Sequence, residues 1–278
     1  MRTALLVVGA LLCLAVAVFP FVTRNRDGWR LSVAALFSAA AFVAAIWLPV
    51  GKKPSQPPIP LPAASAIGPG TGIAVTYADG TGGMGCTAGF LVRTNSGQTG
   101  VLTAGHCNKV GEASKTSVNV PGNGSYVTVG TFTQSISEGL RGEEHDIGLI
   151  MLDSDKVPRT SAVAAKLPVT GVTSQLVLGQ ELCKFGMKTG RPECGQITDI
   201  TDSKVAFLAA SECGDSGGPV YLARSDGTAT AVGIHIRGGR TDDPNAGCST
   251  RSNFSVAELM QPWLDAWGLT AVTESAPR

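Results

Sequence analysis

Two short runs, Gly214-Asp215-Ser216-Gly217-Gly218-Pro219 and Thr103-Ala104-Gly105-His106-Cys107, hold the residue types that nucleophilic acyl transfer needs. A serine flanked by glycines can protrude from a tight turn while backbone amides converge beside it. Such amides cradle a developing oxyanion, and removing one donor of this kind typically raises the barrier by about 2.7–4 kcal/mol. The hydroxyl also needs a base, and an imidazole with an ordinary pKa of about 6.5 suits that task at neutral pH. His106 is one of only three histidines in the chain. Its ring must in turn be oriented by a shielded carboxylate. Asp146 is the best placed acid, because it opens the apolar, strand-like run Ile147-Gly148-Leu149-Ile150. His145 beside it is the other conceivable base, but neighbours on a strand point to opposite faces, so His145 is expected at an exposed rim.

The chain order is His106, Asp146, Ser216, with separations of 40 and 70 residues. That order differs from those of the subtilisins and the α/β-hydrolases. On these motifs residues 71–270 resemble the trypsin-like serine proteases, and among them the compact secreted bacterial branch that includes the streptogrisins. The resemblance implies His106 as general base, Asp146 as its orienting acid and Ser216 as nucleophile. It places the oxyanion hole at the amides of Gly214 and Ser216. It implies a serine endopeptidase that needs no cofactor and no metal, acts on peptide or protein substrates, and works as a monomeric domain. The alternative from another class is a non-catalytic, membrane-tethered peptide-binding or scaffolding module with the same fold.

The resemblance also assigns the substrate pocket to Ala209-Ala210-Ser211-Glu212 and Gly233 through Gly239. Ala209, Ala210, Ser211, His235, Arg237 and Gly238 are its candidate residues. No aspartate occupies the expected floor, which disfavours a preference for Lys or Arg. Gly233-Ile234-His235 resembles the matching strand of bacterial glutamyl endopeptidases, where a histidine helps hold an acidic side chain. Arg237 adds a second candidate contact, worth about 1.5–3 kcal/mol if charge-assisted. Cleavage after Glu or Asp is therefore one expectation; the other is a satisfied strand histidine beside a solvated arginine. Cys213 lies three residues before Ser216 rather than the four of the animal enzymes, which loosens any position-by-position mapping.

These groups need a scaffold, and the composition describes one. Thirty-five glycines and sixteen prolines in 278 residues fit a loop-rich all-β protein. Short apolar runs at Gly72–Tyr77, Ala88–Arg93, Gly100–Ala104, Tyr126–Thr131 and Ile147–Leu152 read as strands of a first barrel. Those at Gln180–Phe185, Gly195–Ile200, Lys204–Ala209, Pro219–Leu222 and Ala229–Ile236 read as strands of a second. The pattern alone fits a sandwich as well as a barrel. The resemblance selects two six-stranded Greek-key barrels, over about residues 71–165 and 166–254. A short C-terminal helix is expected at Ser255–Gly268, with Ser255 as N-cap, Gly268 as stop and Pro262 as an interruption. Trp263 and Trp267 are expected to pack on the second barrel. Asp242 and Asp243 read as a solvated loop rather than a calcium site.

Of seven cysteines, Cys13 sits in an apolar N-terminal run and six fall in the barrel region. No Cys-x-x-Cys pair favours zinc. Six cysteines allow fifteen pairings, and the resemblance implies Cys86–Cys107, Cys183–Cys194 and Cys213–Cys248. Such bridges require an oxidising compartment.

Residues 3–22 and 31–50 are each twenty residues long and free of charge, which suffices to cross about 30 Å of hydrocarbon. They read as a transmembrane hairpin that displays the protease domain (71–278) on the outer side, across a Pro/Ala-rich spacer at 51–70. Residues 1–53 hold six basic residues and one acidic residue, leaving 54–278 at a net charge of −4. No basic patch recommends nucleic acid as a partner. No basic residue followed by an apolar N-terminus lies near 67–76, so Asp215 is expected to find an internal cationic partner. Sequence alone does not name it.

Overall fold

A computed structural model describes residues 59–121, 126–139, 144–153, 155–243, 248 and 250–275. The charge-free runs at 3–22 and 31–50 lie outside the described residues. Among the described residues, no helix is long and apolar enough to cross a membrane.

The first barrel is built from β1 (Gly72–Thr76), β2 (Gly83–Thr87), β3 (Leu91–Thr94), β4 (Thr99–Thr103), β5 (Lys115–Val118), β6 (Val127–Ser137) and β7 (Asp146–Leu152). Its neighbours run β3-β4-β7-β6-β5-β1-β2. The run that carries β2 and β3 bends at Ala88–Phe90. It pairs with β1 through its first half and with β4 through its second, and so turns the sheet back on itself. The second barrel comprises β8 (Val169–Val172), β9 (Glu181–Phe185), β10 (Pro192–Ile200), β11 (Lys204–Phe207), β12 (Pro219–Ala223), β13 (Ala229–Gly239) and β14 (Phe254–Leu259). Here β12 bonds to both β9 and β13, closing a ring of β12-β9-β10-β11-β14-β13. Each barrel carries an added strand. β8 lies parallel on β13, and β15 (Leu269–Ala271) returns from the C-terminus to pair with β3.

The period of two along β7 explains why its acid is buried. Ile150 points into the first barrel with Val101 and Phe132. Ile147 and Leu149 point the other way, into a seam shared with Tyr221, Ile234, Met260 and Leu264. Asp146 opens this strand with no exposed surface.

Several elements depart from the sequence reading: β2, β5, β8 and β15 form where no strand is expected, and two stretches take a different form. The expected helix at Ser255–Gly268 is instead β14 followed by α1 (Gln261–Trp267). Pairing with β11 and β13 overrides local helix preference over 254–259. Ser255 is thus no helix cap; its hydroxyl donates to the Ala209 carbonyl at 2.9 Å. Pro262 lies in the first turn of α1, where a missing N–H costs nothing, so it starts the helix rather than interrupting it. Gly268 does end α1, in the left-handed conformation at φ 60° and ψ 45°. Trp263 and Trp267 pack with ring centroids 5.0 Å apart and planes tilted by 49°, and both join the seam.

Residues 59–70, part of the stretch read as a spacer, are bonded to the first barrel. Tyr126 donates to the Ile59 carbonyl, the Asn119 side chain donates to the Leu61 carbonyl, and the Ala64 amide donates to the Asn119 carbonyl. Ile67 is almost fully buried, and its amide and carbonyl are taken by Pro158 and Thr160. Leu61 and Ile59 pack against Ala74, Tyr126 and Met187.

Candidate active site

His106 sits on a single 3₁₀ turn, Gly105–Cys107, at the end of β4. Position 105 must be glycine, since a Cβ there would lie 1.8 Å from the Ile136 carbonyl oxygen. The turn is fixed from two sides. The Cys86–Cys107 disulfide ties it to β2, and Asp146 Oδ1 accepts the His106 backbone N–H at 2.8 Å. The second carboxylate oxygen, Oδ2, lies 2.5 Å from His106 Nδ1. One buried acid therefore holds both the backbone and the ring of His106. An ionised carboxylate only accepts, so the ring proton resides on Nδ1 and Nε2 is left as acceptor.

Ser216 follows Gly214, whose φ of 108° a side-chain-bearing residue rarely adopts, and precedes Gly217, with φ 87°. The turn is stitched to β13: Gly217 donates to the His235 carbonyl at 2.7 Å, and His235 donates to the Gly218 carbonyl at 2.9 Å. Asp215 donates to Glu212, and Gly218 donates to Asp215. Among the described residues, the amides of Gly214 and Ser216 engage no protein acceptor, as a site reserved for a substrate oxygen requires. His106 and Ser216 line the same cavity of about 230 Å³. Among the described residues no hydrogen bond joins their side chains; catalytic contacts of this kind tighten in the Michaelis complex.

Asp215, fully buried, finds its cation in Lys184 on β9, also fully buried, with Nζ 2.6 Å from Oδ2. Three backbone amides complete its shell: Glu212 at 3.0 Å, Lys188 at 3.0 Å and Thr189 at 3.1 Å. Burial pushes the Asp215 carboxyl up, but the Lys184 ammonium and these amides outweigh it and hold the group below the usual carboxylate range. Burial draws the Lys184 ammonium down from the ordinary lysine value against the pull of Asp215. Four donors around the carboxylate and a 2.6 Å contact fit an ionised pair. The sequence carried a sign of this: in Leu182-Cys183-Lys184 the lysine shares the inward face of the strand with Leu182.

The cavity beside Ser216 is lined by Ser211, Glu212, Cys213, His235, Arg237 and Gly238, together with Thr250 and Ser252. Of the pocket candidates, Ser211, His235, Arg237 and Gly238 thus line it, whereas Ala209 and Ala210 do not. Ala209 packs into the core of the second barrel. Thr250 and Ser252 went unread because they follow a loop with no motif of its own. Ser211 and Ser252 share a 2.5 Å hydroxyl contact at the wall. His235 is buried and its Nδ1 has no hydrogen-bond partner among the described residues. Burial, with the nearby Lys184 charge, pushes its pKa down to about 3, so the ring is neutral. His145 does not line this cavity; it contacts Glu258 at 2.7 Å and packs edge-on with Trp263. Asp242 is held by Arg240 through two bonds of 2.8 Å.

All three implied disulfides are present. The one cluster of possible metal ligands among the described residues, Glu181, Cys183 and Cys194, contains a bridged cysteine pair.

A sequence model of the family described as Trypsin matches residues 69–259. Streptogrisin-C of Streptomyces griseus is 30% identical over 210 residues, which cover 71% of this chain and 40% of that protein. An uncharacterized protein of Mycobacterium tuberculosis is 29% identical over 160 residues, covering 54% of this chain and 66% of the relative. The match thus spans less than two thirds of the length of either relative. Among solved structures, Thermobifida fusca protease A aligns with a TM-score of 0.54 at 25% identity, over 75% of this chain and all of the other. Nocardiopsis protease aligns with a TM-score of 0.55 at the same identity and coverage. With two barrels meeting at a buried acid, an oriented histidine and a glycine-flanked serine, this chain belongs to the trypsin family.

Proposed function

We propose that the chain is a serine endopeptidase. Ser216 attacks a peptide carbonyl while His106 Nε2 accepts its proton, and the Gly214 and Ser216 amides receive the oxyanion. Collapse of the tetrahedral species expels the amine, protonated by His106, and leaves an acyl-enzyme that water then hydrolyses. The observation that carries this reading is the Asp146–His106 pair. It fixes the ring tautomer at the lip of the cavity that holds Ser216. A fluorophosphonate probe tests it: the wild type is labelled and Ser216→Ala is not. An unlabelled wild type with its disulfides formed would favour the non-catalytic peptide-binding module.

The preferred substrates carry Glu or Asp at the residue whose carbonyl is attacked. A neutral, buried His235 facing the pocket can donate one hydrogen bond to a carboxylate, with Arg237 and Ser211 beside it. Peptides differing only at that residue check this, and faster cleavage after Phe or Leu than after Glu would remove it. The domain works on the outer side of a membrane, anchored by residues 3–22 and 31–50. Three disulfides among the described residues support an oxidising compartment. Membrane fractionation combined with protease accessibility in intact cells tests that placement.

A further inference from the structure

We infer that Thr87 is a positioning residue for the oxyanion hole, an inference that rests on the reading of the chain as a serine protease. Thr87 ends β2 in the first barrel, fully buried and next to the Cys86–Cys107 bridge that holds the histidine turn. Its backbone N–H donates to the Ser216 carbonyl at 2.8 Å. Its hydroxyl donates to the Gly214 carbonyl at 2.8 Å. One residue of the first barrel therefore pins the carbonyls of both residues whose amides face the oxyanion. The hydroxyl has a second duty, accepting the Met187 N–H at 3.0 Å. Thr103 in turn donates its hydroxyl to the Thr87 carbonyl at 3.0 Å, which fixes the pinning residue itself.

Gly214 is where such pinning matters. With φ at 108° and no Cβ, its backbone can rotate at little steric cost, and any rotation re-aims the amide. A hydroxyl that donates to the carbonyl of Gly214 opposes that rotation. Because it must donate to Gly214 and accept from Met187 at once, only Thr or Ser serves. Valine matches the shape and can do neither.

The test compares Thr87→Val with Thr87→Ser in the full chain. Four readouts are taken: peptide hydrolysis, fluorophosphonate labelling, affinity for a peptide aldehyde, and affinity for the matching product acid. The aldehyde forms a tetrahedral oxyanion adduct on Ser216, whereas the acid does not. Thr87→Val is expected to lower kcat by roughly 10- to 100-fold, below the full loss of an oxyanion donor. KM and product affinity should change less than threefold, and aldehyde affinity should fall in step with kcat. Thr87→Ser should restore both to within about threefold of wild type. A merely structural role would lower Tm without separating aldehyde from product affinity. If labelled wild type and Thr87→Val share the same kcat and aldehyde affinity, the inference falls while the protease reading stands. If wild type itself is not labelled, both fall. Should Thr87→Val fail to fold, Thr87→Ala takes its place with the same expected losses; if neither folds, Thr87 serves stability alone and the inference is overturned.

Discussion

Replacing Lys184 by methionine should both destabilise the domain and disable the serine turn. The side chains are similar in volume, so packing is largely kept while the ammonium 2.6 Å from Asp215 is lost. Asp215 would remain fully buried, held only by the Glu212, Lys188 and Thr189 amides. Breaking a buried pair on one side generally costs about 3–5 kcal/mol, because an uncompensated charge stays behind. With a urea m-value of about 2–3 kcal/mol/M, that corresponds to a midpoint shift of roughly 1–2.5 M at pH 7. Labelling by fluorophosphonate should slow as well, since Asp215 anchors the turn between Gly214 and Ser216. The double variant Lys184→Met, Asp215→Asn removes both charges and should recover part of the loss. The coupling would then exceed about 1 kcal/mol in the cycle. The pH dependence has a definite sign. A carboxyl held below its unfolded value of about 3.9 contributes stability that is full above that pH and fades as pH falls through the folded value. Without Lys184 the folded value rises, so acid unfolding should move to higher pH. Equal midpoints for wild type and Lys184→Met, or strictly additive single effects in the cycle, would refute the reasoning.

Three further outcomes are expected. Asp146→Asn keeps the shape of the site but presents an N–H₂ to one of two donors, the His106 amide or Nδ1, and should lower kcat by about 10⁴-fold in steady-state assays. His235→Gln should flatten the acid limb of stability. A histidine lowered from 6.5 to about 3 leaves stability complete above its unfolded pKa and drains it as pH drops toward the folded value, so an unchanged limb by circular dichroism would contradict this. Replacing Cys86 and Cys107 together by serine opens a bridge spanning 21 residues. By the chain-entropy relation this should cost about 3 kcal/mol in chemical unfolding, with activity lost as the histidine turn loosens.

His106, Asp146 and Ser216 could be read from sequence because each sits in a short run whose neighbours are dictated by the same local geometry. Gly105 must clear Ile136, and Gly214 and Gly217 must take positive φ. The strongly apolar strands were legible for a similar reason, as burial imposes their pattern. β2 was not, because Gly83-Met84-Gly85-Cys86-Thr87 has two glycines and no alternation, and it is a strand by virtue of pairing with β1. β14 reads as helix because Ser255 and Gly268 bracket 255–268 like an N-cap and a stop, until β11 and β13 compete for its backbone. Lys184 lies 31 residues from Asp215, and no local rule links them. Thr87 stood unmarked for the same cause: its value lies in bonds to Gly214 and Ser216, far along the chain.

The docking of Ile59 and Leu61 against Ala74, Tyr126 and Met187 sets a practical limit on trimming the protein. A shortened version beginning at residue 71 would strip Leu61 and Ile67 from their seats and bare an apolar groove on the first barrel. It would also uncover Met187, whose amide leans on the Thr87 hydroxyl. A trimmed form should therefore begin upstream of Ile59, and a loss of turnover on cutting closer would trace to the exposed groove.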